Sequence, residues 1–112
     1  MQGLDLAQRL RRLPERRVLE RTVRVATGRR SRLLGLAWLP RERAGEGLLI
    51  PRCSSVHTFG MRFALDVHFL DADGSVIATR RAVPRRRIVH CAGTDAVLEV
   101  PAQGGEVGAA RS

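Results

Sequence analysis

The chain has 112 residues, 44% of them hydrophobic and 28% charged, an ordinary globular balance that excludes wholesale disorder and suits one domain with one modest core. Its longest apolar run, Leu33 to Leu39, is seven residues interrupted by a glycine, far short of the roughly 20 that a membrane-spanning helix needs, and no basic segment leads into an apolar one at the N-terminus, so a cytoplasmic protein is expected. The net charge is +9 and comes wholly from arginine, since lysine is absent; residues 1–32 hold ten arginines against three acids, residues 33–112 ten against eight. Leu6, Leu10 and Leu13 recur at helical spacing before Pro14, which predicts a short helix or a frayed leader. Val18 to Ala26 is β-branched and alternates about Val23 and Val25, the pattern of a first strand. Thr27 then stands as a cap before a predicted helix of two to three turns that Pro40 stops, with Gly35 marking close packing inside it. Residues 40–47 read as a loop, and Gly47 to Ile50 as a short strand ended by Pro51.

From Val56 the chain reads as extended. In a single register His57, Phe59, Met61, Phe63, Leu65, Val67 and Phe69 share a core face, while Thr58, Gly60, Arg62, Ala64, Asp66 and His68 share a polar one. Asp71 to Gly74 carries turn chemistry, which predicts an antiparallel hairpin between residues 63–70 and 75–79. Residues 80–95 form an arginine- and proline-bearing connection with a short strand at Ile88 and Val89. Ala96 to Val100 is a last strand stopped by Pro101, and Gln103 to Ser112 reads as loose. The sum is a mainly β protein, a small antiparallel β-sandwich or barrel-like domain with one short helix after the first strand. Its expected organisation is a basic leader (1–17), one β domain (18–104) and a tail (105–112).

Several segments resemble a known family. Arg32-Leu33-Leu34-Gly35-Leu36 is similar to its early helix. Cys53-Ser54-Ser55-Val56-His57-Thr58-Phe59-Gly60-Met61-Arg62-Phe63, with Asp66-Val67 and Phe69-Leu70-Asp71, resembles its central block. Asp73-Gly74 is similar to its hairpin turn, and Val97-Leu98-Glu99-Val100-Pro101-Ala102 to its closing strand. The resemblance covers residues 18 to 104 and is to domain-of-unknown-function family 192, small bacterial and archaeal proteins. It implies a small β-sandwich with a short helix, and brings no established activity, cofactor or catalytic residue. Many relatives carry an export signal that is absent here. Relatives also continue past the closing strand, so Gly104-Gly105-Glu106-Val107-Gly108 implies a missing or shortened final strand.

Two groups of residues are candidates for function. His57, Arg62, Asp66 and His68 gather on the polar face of the long strand, and Asp66 two positions before His68 is the pairing that orients a general base. No nucleophile motif accompanies it, which favours a carboxylate that holds structure or ligand. Arg80, Arg81, Arg85, Arg86 and Arg87 are a local run of five arginines with no acid among them, suited to phosphate oxygens. The three phenylalanines and the single tryptophan all fall in apolar patterns, so exposed stacking platforms for single-stranded nucleic acid are not expected. Cys53, His57, His90 and Cys91 have zinc's donor types but not its spacing, and two cysteines in a cytosolic chain are expected to stay free thiols. No metal or cofactor is therefore expected. The reading is a small binding or accessory module; its alternatives are an enzyme using Asp66 and a histidine, and a binder of anions or nucleic acid. The partners this pattern admits are an anionic ligand or nucleic acid held weakly and without sequence preference, and the pattern specifies no oligomeric state.

Overall fold

Alternating β-branched residues broken by tight reversals give the described residues of this chain eight strands and little helix. The computed structural model describes Leu10 and residues 13–102; the predicted N-terminal helix and the loose C-terminal tail lie outside the described residues, Leu10 and Leu13 excepted. β1 (Glu15–Val18) and β2 (Arg21–Val25) form an antiparallel hairpin. The strand predicted over residues 18–26 is thus two strands, reversing at Leu19 and Glu20, whose φ values are +52° and +65°. Neither residue is a turn former, and the β-branched alternation about Val23 and Val25 reads on from Val18 without a break, which conceals the reversal.

The helix α1 (Arg29–Leu34) is shorter than predicted because Gly35, at φ +56°, turns the chain out of it. The following turn plants Leu36, Ala37 and Leu39 in the core. A single 3-10 turn (Arg41–Arg43) leads to β3 (Leu48–Pro51), β4 (Ser55–His57), β5 (Leu65–Leu70), β6 (Val76–Val83), β7 (Ile88–His90) and β8 (Ala96–Pro101). Six strands make one sheet in the order β1-β2-β3-β8-β5-β6, and β4 pairs with β7 in a second. Every pairing is antiparallel except β2 with β3. The large sheet is open at both edges rather than closed into a barrel.

The continuous strand predicted from Val56 to Phe69 is broken. Residues 58–61 turn, with the Met61 amide donating to the Thr58 carbonyl at 3.2 Å and Gly60 at φ +81°, so β4 and β5 belong to different sheets. Met61, Leu65, Val67 and Phe69 are still buried, but Phe59, expected in the core, is 49% exposed. Leu48, Ile50, Leu65, Val67, Phe69 and Val97 meet Leu36, Leu39, Val56 and Met61 on one side of the large sheet. Its other side gathers Val23, Leu49, Leu70, Leu98 and Val100.

The β5–β6 hairpin forms as predicted. Asp71 closes it: its Oδ1 accepts the amides of Asp73 and Ser75 at 2.9 and 3.0 Å. Its register slips where Leu65 faces Val83 but Val67 faces Arg80. This bulge sets two residues, Arg81 and Ala82, against Asp66 alone.

Candidate anion-binding groove

Thr58 organises the site. Its side chain is fully buried; its hydroxyl donates to the Pro84 carbonyl at 2.7 Å and accepts the Arg87 amide at 2.7 Å. Its own amide donates to the Arg87 carbonyl at 2.8 Å, and its carbonyl accepts the Arg86 amide at 3.4 Å. The loop over residues 84–87 is thereby fastened to the turn over residues 58–61. Trp38 joins from the segment after α1, its amide donating to the Gly60 carbonyl at 2.8 Å.

The indole lies against Gly60: a Cβ there would meet three ring atoms at 2.9, 3.0 and 3.3 Å, so only glycine fits beneath the ring. Trp38 is nonetheless 53% exposed. Trp38, Gly60, Met61, Arg62, Arg85 and Arg86 line an open groove of about 520 Å³. No acidic residue lines it, and among the described residues none of the three guanidinium groups has a hydrogen-bond or ion-pair partner. Trp38 and Arg86 both hold positive φ, +71° and +64°, backbone that costs a side-chain-bearing residue energy and concentrates at functional sites.

The four residues assigned to a polar face separate into three places. Asp66 is only 8% exposed; its Oδ1 accepts the Ala82 amide at 2.8 Å and its Oδ2 pairs with Arg81 Nη1 at 3.5 Å. The carboxylate thus serves the amide that the bulge takes out of the sheet ladder. His68 Nδ1 lies 3.0 Å from Thr79 Oγ1, and among the described residues no hydrogen bond joins it to Asp66. Burial pushes the His68 pKa below its ordinary value of 6.5; Asp66 opposes that shift, while Arg81 and Arg21 add to it. His57 accepts the Phe59 amide at Nδ1 (3.2 Å), which assigns its proton to Nε2, 3.1 Å from the Leu33 carbonyl. Arg62 belongs to the groove. Of the arginine run, Arg80 and Arg81 lie on the edge strand β6, Arg85 and Arg86 line the groove, and Arg87 is held there by its backbone.

A model of domain-of-unknown-function family 192 (DUF192, uncharacterized ACR) matches residues 12–107. The chain belongs to the DUF192 family. Two solved structures share its fold. One, from Sinorhizobium meliloti 1021, is provisionally named a transcription regulator; it is 21% identical with a TM-score of 0.66 over 82% of this chain and 76% of that one. The other, a protein of unknown function from Novosphingobium aromaticivorans DSM 12444, is 22% identical with a TM-score of 0.60 over 79% and 70%. No curated protein matches the chain.

Three residues of this DUF192 chain that sequence reasoning passed over hold the site or its surroundings. Trp38 sits in the longest apolar run and reads as core; only the positive φ of Gly35 and Trp38 turns it outward. Thr58 reads as one member of a polar face, though a threonine before a Phe-Gly pair is a turn signal in its own right. Glu99 reads as the polar break in an apolar strand, yet it is 3% exposed and its Oε1 accepts the Leu36 amide at 3.2 Å. The close packing expected at Gly35 is against Glu99, whose Oε1 would lie 2.7 Å from an added Cβ. Among the described residues no three His, Cys, Asp or Glu side chains are placed to hold a metal ion, Cys53 and Cys91 are free thiols, and no helix is long and apolar enough to cross a membrane.

Proposed function

We propose that this protein is a small binding module that holds an anionic ligand in the Trp38 groove. One observation carries the reading: three arginines without partners among the described residues line one groove together with an exposed indole. Like charges brought together repel, and an anion relieves that repulsion while accepting the hydrogen bonds their forked donors offer. Met61 gives the groove an apolar floor, and the Thr58 hydrogen bonds fix the loop that presents Arg85 and Arg86. Action in the cytoplasm belongs to the same reading; two partly exposed free thiols suit a reducing compartment.

Trp38 is the chain's single tryptophan, so intrinsic fluorescence reports the groove directly. Titration with inorganic phosphate and pyrophosphate at low ionic strength is expected to change that emission saturably, more tightly for pyrophosphate. Replacing Arg62, Arg85 and Arg86 together with alanine is expected to abolish the response. An identical titration in the triple variant overturns the proposal.

A further inference from the structure

We propose that the groove takes a nucleotide unit, its base stacked on Trp38 and its phosphate held by Arg62, Arg85 and Arg86. This rests on the anion-binding reading above and names the ligand's chemical class. The observation behind it is the way the indole is mounted. Three of its ring atoms lie at nearly equal distance, 2.9 to 3.3 Å, from the position of a Gly60 Cβ, so one face of the ring rests flat on the Gly60 backbone. The opposite face accounts for the exposure of a residue that burial would otherwise claim, and the backbone that carries the ring is anchored where the Trp38 amide donates to the Gly60 carbonyl.

A simple oxyanion uses the guanidinium groups and leaves that face in water. A ligand with a planar ring and an attached phosphate uses both. Stacking on an aromatic face tolerates any base, since every base presents a π surface, and arginine beside the ring holds the backbone charge. Phe59, which precedes Gly60, is 49% exposed as well, and its ring meets the His57 imidazole at 5.9 Å. An exposed aromatic next to arginines is what the sequence pattern denied this chain, and it shifts the balance from a bare anion site to a nucleotide site. The unit comes either as a free nucleotide or as part of a single strand, and the groove's chemistry is the same for both.

The test uses the full chain and Trp38 emission, with inorganic phosphate, a nucleoside monophosphate, a single-stranded dT decamer and a duplex of equal length as probes. The nucleotide is expected to quench Trp38 and to bind ~10-fold or more tightly than inorganic phosphate, as stacking on one aromatic implies. For the variants, anisotropy of a labelled nucleotide replaces emission. Trp38→Ala, checked for an unchanged fold by circular dichroism, is expected to lose ~10-fold in affinity, and Trp38→Phe to recover most of it. A decamer that binds more tightly than the monophosphate, with a steeper salt dependence, identifies the strand as the source; equal affinities identify the free nucleotide. Nucleotide binding no tighter than phosphate and indifferent to Trp38→Ala overturns this inference while the anion-binding reading stands. Duplex binding equal to single-strand binding, or association with phosphatidylglycerol vesicles without any nucleotide response, overturns it too. No response to any anion removes both.

Discussion

Asp66 shows what one buried carboxylate does when the backbone beside it leaves the ladder. Its Oδ1 accepts the Ala82 amide in the β5–β6 bulge, and Ala82 itself holds φ +50°. Asp66→Ala leaves that amide unpaired and is expected to cost about 1–3 kcal/mol. Asp66→Asn keeps an acceptor and loses mainly the pair with Arg81, whose side chain is 74% exposed, so it is expected to cost about 1 kcal/mol or less. Denaturant midpoints measure both, and equal midpoints for Asp66→Ala and wild type count against this role. The side of the strand on which Asp66 lies was legible from alternation about Leu65 and Val67. Arg62, His57 or backbone amides were the donors to expect for a covered carboxylate there; a backbone amide serves, that of Ala82, and which amide was not legible because nothing in residues 80–83 marks a bulge. His68, two residues on, favours its neutral form by burial, against the pull of Asp66 and with the push of Arg81 and Arg21. With the folded pKa below 6.5, the unfolded chain takes up the proton first. This residue's contribution is therefore complete above that pH and fades as pH falls through it toward the folded pKa. Acidification from about pH 7.5 to about pH 5.5 is expected to lower the melting temperature of wild type more than that of His68→Gln; an equal drop in the two contradicts it.

At the scale of elements, two hairpins in one chain differ in how openly their turns are written. Asp71 to Gly74 has the residues that hairpin backbone demands, and β5 and β6 were readable from it. Leu19 and Glu20 make a two-residue reversal with both φ values positive, a geometry that favours Asn-Gly. The combined change Leu19→Asn, Glu20→Gly relieves that backbone and is expected to raise stability by about 1 kcal/mol, read from chemical denaturation; a loss of stability shows that the present residues hold the turn in another way. The edge strands account for part of the arginine. Arg16 and Arg17 lie on β1 and Arg80 and Arg81 on β6, the outermost strands of the large sheet, and β6 carries two register shifts. Charge and bulges on an edge discourage pairing with another molecule's sheet. The same residue type thus guards the sheet at its margins and, at residues 62, 85 and 86, lines the groove. Composition joined these roles, and only the fold separates them.

The whole molecule is assembled around a strand that comes late. β8 lies between β3 and β5, pairing with Leu48–Pro51 on one side and with all of β5 on the other. Until residues 96–101 are in place, the β1-β2-β3 group and the β5-β6 hairpin are separate pieces, each with an unpaired apolar edge. Leu98 and Val97, both fully buried, stand opposite Leu49 and Ile50 on β3 and His68 and Phe69 on β5, partners from well earlier in the chain. Loop closure over such separations slows folding of β proteins to about milliseconds to seconds, and a chain emerges from the ribosome at about 5–20 residues per second. During synthesis the segments of both half-sheets are therefore made before the strand that joins them. Ribosome-stalled nascent chains are expected to remain protease-sensitive at every length that keeps Pro101 inside the exit tunnel, and to become protected once it clears; protection at a shorter length rules this order out. The half-sheets are incomplete until β8 is added, so the keystone of the fold is also its moment of greatest exposure to chaperones and to neighbouring chains.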